Sequence, residues 1–298
     1  SIAVDWPALK RLPRRERPHK LDVPGAVLLV TATVALLLPL TWSGHRFGWG
    51  SPTTIGLLVL ALALWAAFVA RLRLASEPLV AVALLRNPVV ATGVLASFFA
   101  MGTFTGLTVV TPLLFETLRG FSPSQSGIAV IPLMVGAVAG AMISGQGMYR
   151  LERYKRVSLI GVAWAVAGVA IMAAAFDRLS DVTLSLGLGL VSFGIGTALP
   201  VSTVSVQNAV EPHEMGTATS ATTFFRQFGG AIVAAVFGAV LLTEAGIGSG
   251  LEDIGNQVAD PAGLVAAFRW IFATATATLA LALACLIVLE ERPLKGRS

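Results

Sequence analysis

The 298-residue sequence is 55% hydrophobic and 12% charged, with a mean hydropathy of +0.80. Soluble proteins carry roughly a quarter charged residues, so this composition excludes a chain folded around a water-soluble core and calls for lipid as solvent. The net charge of +5 falls in short basic clusters at the ends of apolar runs, a topology pattern rather than the basic face of a nucleic-acid binder.

In chain order, residues 1–22 form a basic arm, Lys10 to Lys20 being its densest part and reading as a solvated, cytoplasmic linker. It contains no short apolar region of the kind a cleavable signal needs, and the absence of a starting Met fits a piece of a longer protein. Apolar runs of spanning length then predict eight membrane helices. The first two cover Val23–Trp42 and Thr53–Arg71, and with the following loop make a unit over 23–86. In that loop Leu79–Leu85 is apolar but too short to cross, so it is expected to lie along the interface. Six further spans are expected at Pro88–Phe115, Ser124–Met148, Val157–Phe176, Val182–Val206, Thr217–Thr243 and Leu264–Leu289, a bundle over 87–289, before a polar tail at 290–298.

About sixteen Lys and Arg lie in the arm, the 71–86 and 149–156 loops and the tail, against Arg46, Arg119 and Arg178 in the alternate loops. By the positive-inside rule both ends are cytoplasmic, and the acidic, glycine-rich stretch 244–263 is outside. The fold class is therefore an all-α polytopic membrane protein.

Several short motifs lie on these spans. Gly194, Gly196, Thr197 and Pro200 form Gly-x-Gly-Thr-x-x-Pro, followed by Asn208, Gly216 and the run Arg226-Gln227-Phe228-Gly229-Gly230-Ala231. Lys20-Leu21-Asp22-x-Pro24-Gly25 precedes the first span, and Ser122-Pro123-x-x-x-Gly127 with Pro132 opens the fourth. Together these resemble the late helices of the fourteen-helix drug:proton antiporters of the major facilitator superfamily. The resemblance covers nearly the whole chain and implies the carboxy-terminal six-helix bundle preceded by two linker helices, in the cell membrane. It also implies an absent amino-terminal six-helix half as partner, a small-molecule substrate, and proton-coupled export by alternating access.

The residues that carry chemistry are few. The third span offers Ser97, Thr103, Thr105, Thr108 and Thr111, and the sixth Ser192, Thr197, Ser202, Thr203, Ser205, Gln207 and Asn208. A single hydroxyl can bond its own helix, but as a set they favour a cavity wall. The resemblance makes these two spans central helices that line the substrate path, with Pro200 breaking one of them. Thr103, Thr105, Thr108, Ser202, Ser205, Gln207 and Asn208 are the pathway candidates. Small residues recur at Gly136, Gly140 and Ser144 and at Gly230, Ala234 and Gly238, faces suited either to packing inside the bundle or to sliding against another one.

Arg226 puts a guanidinium about nine residues into the seventh span, where a charge costs about 2.5–3.5 kcal/mol on insertion scales. It is read either as snorkelling to the surface or bonding helix-end carbonyls, or as a transport-linked contact with the absent half. Glu116, the carboxylate nearest a span, is a weak proton-coupling candidate, its three-residue spacing to Arg119 suggesting an interfacial ion pair. The three His share no metal-ligand spacing, the lone Cys285 excludes an internal disulfide, and no hydrolase, phosphate-loop or metalloprotease motif occurs. No enzyme, metal or cofactor is expected; the rival to a transporter is a non-transporting scaffold or a lipid-handling membrane protein.

Overall fold

The computed structural model describes residues 22–42, 50–74, 82–150, 154–244 and 261–291. The arm up to Leu21, the acidic stretch 245–260 and the tail from 292 lie outside the described residues, so what was expected of them has no structural counterpart here. The described residues fold into α1 (Val23–Trp42), α2 (Pro52–Leu74), the one-turn α3 (Val82–Leu85), α4 (Pro88–Arg119) and α5 (Pro123–Arg150). Then come α6 (Lys155–Ala175), α7 (Asp181–Asn208), α8 (Met215–Glu244) and α9 (Pro261–Val288). Eight of these are long and apolar enough to cross a membrane. Helices are the expected answer for such runs, because a helix satisfies every interior backbone group within its own segment.

Local signals set the ends. Asn87 caps α4, its side chain accepting from the Val89 N–H, and Ser180 caps α7 through the Thr183 N–H. Gly120, at φ 67°, closes α4 in the left-handed conformation that favours glycine, and the N–H groups of Gly120 and Phe121 return to the Phe115 carbonyl. Asp22 opens α1. Its Oδ1 accepts from the Gly25 N–H at 3.1 Å and from Arg71 Nη2 at 3.0 Å, so one carboxylate both caps α1 and ties it to the far end of α2. Burial of this side chain pushes its pKa up, but the Gly25 N–H and the Arg71 guanidinium outweigh that and hold the carboxyl below the usual range. A Cβ on Gly25 would overlap this carboxylate, which gives the Asp-x-Pro-Gly motif a physical reason.

Helices α4 and α7 form the centre. Over half of each one's most apolar window is buried, 56% and 61%, against 22% for α5. Helix α4 packs on α7, α8 and α9, α7 on α5 and α6, and α6 on α9. Phe115, Phe176, Phe237, Phe268 and Phe272 fill the interior. The α1–α2 pair packs mainly on itself and reaches the bundle through α8, where the rings of Trp65 and Phe228 lie 5.1 Å apart. Outward residues such as Val30, Leu62, Ile131, Val138 and Met142 are apolar and exposed, as lipid requires.

One expectation is corrected. Pro200 does not break α7, which runs unbroken from Asp181 to Asn208, as α4 and α5 do through Pro112 and Pro132. In a membrane helix packed on both sides, neighbouring helices make a proline tolerable.

Candidate functional site

The most polar region lies on the seam between α7 and α8, at the end of the bundle where α4 begins. Because α8 starts at Met215 and not Thr217, Arg226 stands eleven residues in, about 16 Å along the helix. Its Nη2 donates to Thr203 Oγ1 at 2.7 Å, while the Thr203 hydroxyl donates to the Leu199 carbonyl at 2.9 Å. The Arg226 Nε is buried without a partner, and among the described residues the guanidinium makes no ion pair. One turn further along α7, Gln207 Nε2 donates to Thr219 Oγ1 at 3.0 Å, and that hydroxyl donates to Met215 O. Asn87 Nδ2 reaches the Ala209 carbonyl at 3.1 Å, fixing the start of α4 to the end of α7.

The expected pathway residues divide by exposure. Thr103 is buried and shares a 2.8 Å hydroxyl contact with Thr278 of α9, inside the bundle. Ser202 and Ser205 are buried too, and like Ser97 and Ser192 they have hydroxyls without a partner. By contrast Thr105, Thr108, Gln207 and Asn208 are half-buried. Thr108 donates back to Phe104 O, and Thr105 faces Gly230, where a Cβ would stand 3.0 Å from its Oγ1. Arg226, Gln207, Thr203 and Thr219 thus come together, while Thr103, Ser202 and Ser205 belong to the core.

The two small-residue faces, alike in sequence, differ in what they meet. On α5, a Cβ at Gly136 would stand 2.9 Å from the Gly189 carbonyl carbon, and one at Gly140 2.9 Å from that of Phe193. Gly196 of α7 is equally close to Ala137, and Ser144 Oγ donates to the Thr197 carbonyl at 2.8 Å. This face is therefore packed inside the bundle, backbone against backbone. On α8, Gly229 meets the α4 backbone at Phe98, the atoms nearest a Cβ on Gly230 are those of the Thr105 side chain, and a Cβ on Gly238 would meet nothing within 4 Å. Gly230 is buried, while Ala234 and Gly238 are half-buried and continue the stripe of Thr219, Thr223, Arg226 and Gln227 along α8.

At the opposite end, Glu116 does not pair with Arg119. Its Oε1 accepts from Ser126 Oγ, while Arg119 donates to the Phe176 and Leu179 carbonyls at 3.2 and 2.8 Å and lies 3.3 Å from Asp181. The carbonyls at the end of the single-turn Phe176–Arg178 helix offer Arg119 more than Glu116 does one turn away. Arg269 of α9 pairs with Asp177 at 3.1 Å. No sequence signal marked these pairs, or Asn87 with Ala209, because their partners lie far apart in the chain. Among the described residues no cluster of His, Cys, Asp or Glu is arranged to hold a metal.

The chain is similar to several known proteins. Residues 11–234 match the family model described as Major Facilitator Superfamily. The chain is 30% identical over 224 residues to multidrug resistance protein 3 of Bacillus subtilis, covering 75% of this chain and 44% of that protein. It is 31% identical over 230 residues to the tetracycline resistance determinant of Streptomyces rimosus, covering 76% and 65%. Multidrug transporter protein MdtP of Bacillus subtilis is 27% identical over 237 residues, covering 77% and 42%. The chain thus spans from under half to about two thirds of the length of these relatives. With eight apolar helices and a match over most of its length, the chain belongs to the major facilitator superfamily.

Proposed function

We propose that this chain is the carboxy-terminal six-helix bundle, with two linker helices, of an exporter of drugs or other amphipathic small molecules. The observation that carries the reading is the α8 stripe. Thr219, Thr223, Arg226 and Gln227 present four polar side chains, one of them charged, on a face that is half-buried or exposed, and half-buried Ala234 and Gly238 extend it. Facing lipid, a guanidinium bonded to one neutral hydroxyl would be poorly solvated. Facing a second six-helix half across a wet cleft, it is hydrated, and the small residues beyond it allow close approach of another helix. A lipid-facing scaffold has no use for such a stripe.

Alternating access follows from two bundles rocking about a site between them, with this chain contributing one wall. In this reading Thr105, Thr108, Gln207 and Asn208 border the cleft, protons drive the cycle, and the basic clusters hold both ends of the chain in the cytoplasm of the cell membrane. Relatives whose names record multidrug and tetracycline resistance support export as the direction. The test is dye efflux by the full-length protein in sealed vesicles. Arg226→Gln is expected to lower efflux at least tenfold at unchanged expression, and Arg226→Lys to restore it only in part, because an ammonium lacks the guanidinium's fork of donors. Full efflux by both variants would remove Arg226 from the pathway.

A further inference from the structure

Arg226 carries a charge that nothing in the described chain neutralises. Its Nη2 holds Thr203 Oγ1 at 2.7 Å, but that oxygen is neutral and its own proton goes to the Leu199 carbonyl. Nε is enclosed, so Nη1 is the nitrogen left for an outside acceptor. Gln207, Thr219, Thr223 and Gln227 along the same seam are uncharged. The acids nearest in the chain are engaged in the exposed turn before α8, where Glu211 lies 3.3 Å from His213 and Glu214 accepts from the Glu211 N–H. The one acid within α8, Glu244, is at its far end.

The position of this charge says what it can meet. Helical side chains lean toward the start of their own helix, and Thr203 lies five residues, about 8 Å, before the end of α7. With α7 about 42 Å long and a hydrocarbon core about 30 Å thick, the guanidinium stands just inside the hydrocarbon, at the end where α4 begins. There it bridges the seam between α7 and α8, where Thr203 and Gln207 are half-buried and Thr223 and Gln227 are exposed. A cleft that opens to alternate sides must close at this mouth during part of its cycle. Closing expels water, and a guanidinium left with Thr203 alone would then be a desolvated charge without an opposite one, a costly arrangement. A carboxylate, negative and acceptor-only, is the side chain that removes this cost.

We propose that Arg226 is one half of a latch: when the mouth at the start of α8 closes, it pairs with an Asp or Glu at the same level of the second bundle. The latch rests on the two-bundle reading for the existence of that bundle and adds the chemistry of the contact.

The test treats membranes holding the full-length Arg226→Lys protein with dicyclohexylcarbodiimide, which activates a carboxyl so that an amine touching it forms an amide. Cross-linked peptides are identified by mass spectrometry. An amide is expected between position 226 and an acid of the second bundle. Arg226→Gln has no amine, so the same acid should instead keep the reagent as an N-acylurea, a readout that does not depend on the lysine variant. Arg226→Glu should abolish dye efflux, and replacing the acid found by cross-linking with arginine in that background should restore it, the pair being re-formed with its charges exchanged. An amide to Glu211 or Glu214, an adduct with lipid, or neither product at any acid of the second bundle would overturn the latch. So would parental efflux by Arg226→Glu, or a charge exchange that restores nothing. The two readings fail separately. Efflux by the parent without these products leaves an exporter with no latch at Arg226, whereas the products in a protein that moves no dye leave the latch and remove the export reading.

Discussion

The α5–α7 contact offers the sharpest test of the packing. Gly140 lies against α7 so closely that an added methyl would stand 2.9 Å from the Phe193 carbonyl carbon and 3.2 Å from its Cα, where ordinary contact begins near 3.4 Å. These are backbone atoms within a continuous helix, so no rotamer change relieves the overlap and the two helices must part. Overpacking of this kind costs about 1–3 kcal/mol. Parting the helices also weakens the bond from Ser144 to the Thr197 carbonyl, worth about 0.6 kcal/mol in a membrane interior. Alanine's better helix propensity offsets about 1 kcal/mol, leaving a net loss of about 0.6–2.6 kcal/mol. For a protein of this size that corresponds to roughly 1–5 °C in apparent Tm. The assay is thermal unfolding of detergent-solubilised Gly140→Ala followed by size-exclusion fluorescence. Gly145→Ala, five residues on with nothing within 4 Å, is the control and should melt at or slightly above the parent temperature. Equal melting of the two variants would refute the backbone-to-backbone contact.

Gly238→Ala should leave the isolated chain's stability unchanged but lower efflux by the full-length protein several-fold, if that open face meets a second bundle. Arg119→Ala should lower the melting temperature by several degrees and Glu116→Gln by less, since Arg119 holds two carbonyls and Asp181 whereas Glu116 holds one hydroxyl. Glu116→Gln should also leave gradient-driven efflux in place if that carboxylate is structural, and its loss with substrate binding intact would assign Glu116 to coupling. Because the Asp22 carboxyl titrates below its unfolded value near 3.8, its contribution to stability should be complete above about pH 5 and fall away as pH drops from there through the lowered folded value. Asp22→Asn should remove that part of the acid dependence in melting curves. In a Cys285→Ser background, a cysteine at position 250 should react with impermeant thiol reagent in sealed cells, and one at position 155 should not.

The helices were legible in the sequence because lipid enforces a simple rule: about 20 apolar residues in a row must be helical. Seven of the eight expected starts fall within two residues of the observed ones, and the ends run up to four residues longer where caps such as Gly120 extend them. The Asp22 motif was visible as a pattern, but its role required Arg71, forty-nine residues away, to be brought beside it. The glycine faces of α5 and α8 read alike, since spacing records which residues share a face and not what that face meets. The polar candidates divided for the same reason. Thr103 and Thr105 are two residues apart on one helix, yet the first meets Thr278 inside the bundle and the second faces Gly230 at the half-open seam. Pro200 misled because the rule that proline ends a helix holds best where no neighbouring helix supports the backbone.

The central claim is that this bundle is one wall of a two-bundle exporter whose cleft runs along the α8 stripe. It is tested most directly in proteoliposomes holding the chain alone or together with the separately expressed amino-terminal bundle, with ethidium efflux followed under an imposed pH gradient. The account predicts gradient-driven efflux only when both are present, and its loss when Arg226→Gln replaces the parent chain. Efflux from the chain alone, or efflux from the pair that is indifferent to Arg226, would contradict it.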